Sequence, residues 1–354
     1  MKSIVIFAGA GASRGVSAKK YPMAVDFKKR LPEGVLKNPL YVALDKFLAQ
    51  HNSDGADIEH VLWELAILAQ ASEYLTRVGG FGHFVLQQNL LQKLSGSGQS
   101  GGDSITQHSN FNRQVGALKD QINSCVYDFY SLEPTMEELM GSWFPLLNLI
   151  SSLGFESVDI VTTNYDVVLE SVMDGLPDAP FKLPATSGRF SSLDVDAWRG
   201  AECAGLLTKL HGSVDWKLGN GGSALRPVIR VGHPEFDGDH GKRLILYPGF
   251  KGAPDSEPFG VFHDYFRRTA RRVTHILFIG FAFRDEYINN ILSMTIPGTA
   301  KVAVVNPVEH LPSLPFLQNA LHLKQGFGLP ENGSLLSSGG IVPFSLREVG
   351  AWLD

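Results

Sequence analysis

Residues 3 to 8, Ser-Ile-Val-Ile-Phe-Ala, form a continuous β-rich apolar run that passes directly into Gly9-Ala10-Gly11-Ala12-Ser13. A strand without polar alternation has both faces buried, which is the condition of a central strand in a parallel sheet. Runs of the same kind follow at Val158 to Thr163, Leu244 to Tyr247, Ile276 to Phe281 and Val302 to Val305, with helical patterns between several of them. This alternation predicts an α/β fold, a Rossmann-like doubly wound parallel sheet.

The chain has 354 residues, 44% hydrophobic and 19% charged, a balance that supports a folded core along most of its length. It reads as a single domain, 1–354, with two departures from a minimal sheet. The first is a helical insertion from about Glu33 to Thr135, where Ile58, Val61, Leu62, Leu65 and Leu68 recur at helical spacing. Inside it, Ser95 to Asp103 is a glycine/serine tract with little to pack, the composition of a surface loop. The second is an excursion from about Lys217 to Arg243, rich in glycine and charge, which reads as a lid or an ordinary surface loop.

Several classes of function are disfavoured. The longest apolar runs fall well short of the roughly 20 residues of a bilayer helix, so no membrane association is expected. Met1 to Gly11 carries no signal-peptide pattern, which points to the cytoplasm. Cys125 and Cys203 stand in unrelated contexts and make neither a disulfide framework nor a zinc pair, so no metal is expected. A formal net charge of -5 argues against direct nucleic-acid binding. Arg267, Arg268, Arg271 and Arg272 have helical spacing and read as a solvated helix face.

The chemistry gathers at strand ends. In Gly9-Ala10-Gly11-Ala12-Ser13, small residues let backbone N–H groups approach a pyrophosphate at a helix N-terminus. The third glycine, Gly15, comes one residue late for the dehydrogenase fingerprint, so a tight strand-to-helix turn is the competing reading. Thr162-Thr163-Asn164-Tyr165-Asp166 ends the second apolar run. Asn164 supplies a donor and an acceptor and Asp166 a carboxylate, a set able to hold a carboxamide, a ribose hydroxyl or a water. Asp166 equally suits a cap on the helix begun by Val167. Leu210-His211-Gly212 sets a titratable imidazole beside a flexible glycine. Gly280-Phe281-Ala282-Phe283-Arg284-Asp285 and Asn306-Pro307 follow two further strands, and each reads as a ligand contact or as a turn with its cap.

Taken in order, GAGAS, TTNYD, LHG, GFAFRD and VVNP resemble the motif series of the sirtuin superfamily, specifically its bacterial sirtuin-like NAD hydrolase branch of antiphage defence. The resemblance implies that Gly9, Ala10, Gly11, Ala12 and Ser13 cradle the phosphates of NAD+ as substrate. It implies that Asn164 and Asp166 surround the nicotinamide ribose and that His211 is the catalytic histidine. Thr163, Gly280, Phe281 and Asn306 would then contact the dinucleotide. The four-cysteine zinc module of protein-deacetylating sirtuins is missing, since residues 213 to 354 contain no cysteine. Thr163 replaces the usual glutamine, and Phe281-Ala282 replaces the serine that often follows the fourth-motif glycine. The implied activity is hydrolysis of NAD+ to nicotinamide and ADP-ribose in an abortive-infection response. The implied assembly is a homo-oligomer controlled by a separately encoded subunit, a translocase-type ATPase such as HerA ahead of an argonaute-like protein. A noncatalytic NAD or ADP-ribose sensor would use the same loop, ADP-ribosyl transfer to protein would share the first chemical step, and a redox dehydrogenase fits the off-register fingerprint poorly.

Overall fold

The computed structural model describes residues 2–51, 57–78, 104–176, 178–185, 191–200, 205–218, 229–231, 243–246, 257–328 and 345–354. The chain divides into two units, Met1–Met23 with Phe129–Leu246 and Phe250–Asp354 in one, and Ala24–Asp128 with Tyr247–Gly249 in the other.

The strands of the first unit are β1 (Ser3–Ala8), β2 (Ser157–Thr162), β3 (Ser191–Ser192), β4 (Leu207–Lys209), β5 (Gly212–Leu218), β6 (Ile229–Val231), β7 (Arg243–Ile245), β8 (His275–Ile279), β9 (Lys301–Val305) and β10 (Leu321–Leu323). Six of them form one parallel sheet in the order β10-β9-β8-β1-β2-β4. Ranked by position in the chain, these six run 6-5-4-1-2-3, the doubly wound Rossmann order read from the far edge. The winding reverses beside β1, and crevices for ligands open at the carboxyl ends of strands flanking such a reversal.

Alternation along the strands decides which helices cover which face, because successive side chains point to opposite sides. Val5, Phe7, Val161, Ile276, Phe278, Val302 and Val304 pack in one core with Trp198, Phe262, Phe266, Ile288 and Leu292, from helices Asp196–Arg199, Phe259–Ala270 and Glu286–Thr295. Ile4, Ile6, Ala8, Ile160, Leu207, Leu277, Ile279, Ala303 and Val305 pack in the other. Their partners there include Ala12, Trp143, Leu147, Ile150, Val172 and Leu353, from helices Ala10–Val16, Trp143–Ser152, Val168–Gly175 and Leu346–Leu353. The result is helix, sheet, helix in three layers, as the uninterrupted apolar strands require.

The Leu244 to Tyr247 run corrects the sequence reading. Arg243–Ile245 is a strand, but it belongs to a second, antiparallel sheet of order β3-β6-β5-β7. A short apolar run looks the same whichever sheet it joins, so periodicity could not separate the two cases. The excursion from Lys217 to Arg243 also departs from a pure loop, since it holds the end of β5, β6 and the start of β7. Residues 219–228 and 232–242 of that excursion lie outside the described residues, as do the 95–103 tract and Cys203.

The second unit is helical, with Glu33–Leu36, Pro39–His51, Ile58–Val78 and most of Ser104–Tyr130. Leu40, Tyr41, Leu44 and Leu48 are buried on one helix, Ile58, Val61, Leu62 and Leu65 on the next, and Val115, Leu118, Ile122 and Val126 on the last. Each set contains the i, i+3 or i, i+4 spacing of one helix face. Among the described residues no helix is long and apolar enough to cross a membrane.

Candidate active site

The glycine loop is shaped first by its own chain. Gly9 N–H donates to the Ile279 carbonyl at 2.9 Å and Gly11 N–H to the Gly280 carbonyl at 3.0 Å, so the loops after β1 and β8 lie backbone against backbone. A Cβ on Gly9 would sit 2.5 Å from Phe281 Cα, and one on Gly280 would sit 2.4 Å from Ala12 N. Gly280 has φ +59, the left-handed region that a side chain disfavours. The late third glycine has a packing role, since a Cβ on Gly15 would lie 1.9 Å from the Phe327 carbonyl oxygen. Ala10 is exposed at the first position of the helix, where an N–H has no intrahelical acceptor.

The loop after β2 is bound to this turn. Asn164 Nδ2 donates to the Gly9 carbonyl and to Ser13 Oγ, each at 2.9 Å, which leaves its Oδ1 as the acceptor. Thr162 Oγ1 donates to the Ala8 carbonyl at 2.8 Å and accepts from Asn164 N–H at 3.0 Å. Thr163, half-buried, lies between them in the chain. Asp166 is buried, and its Oδ1 accepts from Val168 N–H at 3.1 Å at the start of helix Val168–Gly175. Burial pushes its carboxyl up, with Lys209 and Ser13 pulling the other way. The carboxylate is thus held within the chain, beside Ser13.

Lys209, which belongs to none of the sequence motifs, is fully buried at the end of β4. Its ammonium donates to the Asp166 carbonyl, to Glu170 Oε1 at 2.7 Å and to Ser213 Oγ at 2.7 Å. A buried cation persists only with such partners. Together with Leu210 N–H donating to the Thr162 carbonyl at 2.8 Å and Val214 N–H to the Tyr165 carbonyl at 3.0 Å, it laces the loops after β2 and β4 into one wall. Burial pushes Glu170 up to about 7 despite Lys209, and Asp215 adds to the rise. Lysine inside a short strand gave no periodic signal, and only the spacing to His211 could have drawn attention to it.

His211 follows at the turn into β5 and is 4% exposed. Its ring stacks on Tyr165, with centroids 6.4 Å apart and planes at 28°. Its Nε2 lies 3.4 Å from Asp285 Oδ2, while Asp285 Oδ1 accepts from Ile288 N–H at 3.0 Å and caps helix Glu286–Thr295. Burial pushes the Asp285 carboxyl up, but His211 and the Ile288 amide outweigh it and hold it below the usual carboxylate range. Asp285 was legible as a cap and not as the partner of His211. Behind it, His263 Nε2–H donates to the Leu210 carbonyl at 3.2 Å. Burial and the neighbouring His211 push His263 down to about 3, so it is neutral at physiological pH.

The two remaining motifs serve the frame. Phe281 is buried, its ring 4.5 Å from that of Phe7 and 4.8 Å from that of Phe283, so only its backbone faces the glycine loop. Asn306 Nδ2 donates to the Phe281 carbonyl at 2.8 Å, tying the end of β9 to the loop after β8. The structure therefore brings Gly9 to Ser13, Asn164 and Asp166 into direct contact, and connects His211 to them through Tyr165 and Lys209. Among the described residues no group of three His, Cys, Asp or Glu is placed to hold a metal ion.

No curated protein matches the sequence. Solved structures similar to the chain include one concerning sirtuin substrate affinity, 11% identical, covering 92% of this chain and 89% of that one with TM-score 0.34. A Sir2 bound to acetylated peptide is 11% identical, with 92% and 88% covered and TM-score 0.36. A mutant Sir2 homologue complexed with 2′-O-acetyl ADP ribose is 13% identical, with 92% and 87% covered and TM-score 0.37. Residues 158–310, which include Asn164, His211, Asp285 and Asn306, match the family model of the SIR2-like domain.

Proposed function

We propose that the chain binds NAD+ at the carboxyl edge of the parallel sheet and hydrolyses it to nicotinamide and ADP-ribose. The observation that carries this reading is the anchoring of Asn164 to both Gly9 and Ser13, with His211 on the adjoining wall. That both polar residues lie in the stretch matching the SIR2-like domain supports it.

Cleavage of the ribosyl bond returns its electron pair to a cationic pyridinium and leaves an oxocarbenium-like sugar, so positioning and electrostatics can supply the catalysis. Water then adds to the anomeric carbon and loses a proton. In this reading Gly9 to Ser13, with the exposed Ala10 amide, receive the phosphates. Asn164 Oδ1 orients the ribose or the attacking water, and His211 takes the proton. Asp166 keeps Ser13 and the start of its helix in place, while Gly280, Phe281 and Asn306 shape the loop opposite, and Thr163 borders the nicotinamide side.

The same reading makes the chain the NAD-depleting effector of a bacterial antiphage system, acting as a homo-oligomer in the cytoplasm. Because free NAD+ destruction is toxic, a separate subunit would license it, a translocase-type ATPase before an argonaute-like protein. The test is nicotinamide release from NAD+ by wild type, His211→Ala and Asn164→Ala, each alone and with each candidate partner. A loss of 100-fold or more in both variants, with folding intact, is the expected result, since general acid–base catalysis contributes about 10²–10⁴-fold. Tight NAD+ binding without release in every mixture would instead identify a sensor.

A further inference from the structure

We propose that Asp285 is the positioning residue for His211, holding the ring with its proton on Nε2 and leaving Nδ1 with the free lone pair. This rests on His211 being the base of the proposed reaction, but the arrangement itself is a property of the chain alone.

Three features converge on this role. The carboxylate has a fixed direction: Oδ1 is bound to Ile288 N–H at 3.0 Å, so Oδ2 is the oxygen that reaches His211 Nε2, 3.4 Å away. Hydrogen bonds of this kind are commonly long before substrate closes the site. The backbone that delivers Asp285 is held in an unusual conformation. Phe283, two residues earlier, has φ 54, and its carbonyl accepts from Asn289 Nδ2 at 2.7 Å, while Asn289 N–H donates to the Asp285 carbonyl at 2.9 Å. Ring contacts of Phe283 with Phe278 and Phe281 hold it there. A helix cap alone needs no such clamp, and a left-handed bulky residue persists only where its surroundings enforce it. Finally, the Tyr165 ring stacks on the imidazole, and Leu246 N–H donating to the His211 main-chain carbonyl at 2.9 Å holds the backbone that carries it. What is left for Asp285 to determine is the ring's tautomer, which is set by the acceptor that one nitrogen meets.

Asp285→Asn separates this role from capping. Asparagine caps a helix as well as aspartate does. With its oxygen on Ile288 N–H, however, its amide NH2 faces His211 Nε2. Two donors cannot share that contact, so the imidazole must move its proton to Nδ1. The experiment is a long-range 1H–15N correlation spectrum of the full chain labelled with 15N-histidine, without NAD+, at a pH where the ring is neutral, with His211 identified by loss of its signals in His211→Ala. Wild type is expected to show the Nε2–H tautomer and Asp285→Asn the Nδ1–H tautomer with the same thermal midpoint. In turnover, Asp285→Asn is expected to lower kcat at least 10-fold with KM changed less than twofold. An Nδ1–H tautomer in wild type would overturn the proposal without needing any variant, and so would an unchanged His211 ring in a folded Asp285→Asn. A tautomer change in a protein that never releases nicotinamide would support the positioning and count against the hydrolase reading.

Discussion

At the scale of single residues, one tight constraint is the meeting of the glycine-bearing turns after β1 and β8. A methyl group on Gly280 would press on Ala12 N, Gly11 C and Gly11 Cα, at 2.4, 2.4 and 2.5 Å, all backbone atoms with no rotamer to move aside. The left-handed φ adds about 1–2 kcal/mol, and overpacking a well-filled region costs about 1–3 kcal/mol. Gly280→Ala should therefore destabilise by about 2–5 kcal/mol. Gly116, inside helix Ser104–Tyr130, has open space where its Cβ would be, and Gly116→Ala should stabilise by about 0.5–1 kcal/mol. Urea unfolding of the two variants checks both signs, and equal effects would mean that the turn contact is not a real constraint. The contrast also shows how much one residue type conceals: the sequence marks both glycines alike, and only the paired backbone of the other loop distinguishes them.

At the scale of elements, the helices packed on the ends of β2 and β4, Val168–Gly175 and Phe259–Ala270, carry two buried titrations of opposite sign. His263, on helix Phe259–Ala270, falls from an ordinary 6.5 to about 3 in the folded chain. Its stabilising contribution is complete above 6.5 and is lost as pH falls below that value, at about 1.4 kcal/mol per unit. Glu170 rises from 4.5 to about 7, so its contribution is complete below 4.5 and is lost as pH rises towards 7, at a similar rate. From pH 5 to 6.5 the two slopes oppose one another. Glu170→Gln should leave stability rising with pH across that window, and His263→Asn should leave it falling, each by about 2 kcal/mol. Denaturant midpoints at pH 5.0 and 6.5 test this, and parallel profiles for wild type and both variants would refute it. These networks are also what local sequence pattern does not reveal. The strands Ser3–Ala8, Ser157–Thr162, His275–Ile279 and Lys301–Val305 were legible because each is a run with both faces buried. Leu207–Lys209 and Leu321–Leu323 are three residues long and partly polar, too short for a period to show. Asn164 and His211 were legible from their places after apolar runs. The contacts that hold the surrounding wall, Lys209 to Glu170 and Asp285 to His211, cross 39 and 74 residues of chain respectively. No local pattern reports a contact of that span.

At the scale of the whole molecule, the helical segment is an insertion whose two ends leave and re-enter the sheet unit side by side. Tyr130 Oη donates to the Pro22 carbonyl at 3.1 Å, and Tyr21 Oη donates to the Leu132 carbonyl at 2.6 Å, all four residues belonging to the sheet unit. Lys20 Nζ binds Glu138 Oε2 at 2.7 Å across the same junction. Among the described residues, neither of the two cores that cover the sheet contains a buried residue from 24 to 128. A chain whose core is complete without a segment, and whose ends meet where the segment departs, should fold when the segment is replaced by a short linker. We therefore expect a variant joining Met23 to Phe129 through a few glycine and serine residues to unfold in a single cooperative transition. Its denaturant slope should be smaller than wild type, because less surface is exposed on unfolding. Circular dichroism should retain the strand signal while the helical signal falls. NAD+ should still bind the excised protein, since Gly9 to Ser13, Asn164, His211 and Asp285 all remain. Loss of binding with the cooperative transition kept would assign the helical unit a part in the site, and loss of the transition itself would make that unit integral to the fold.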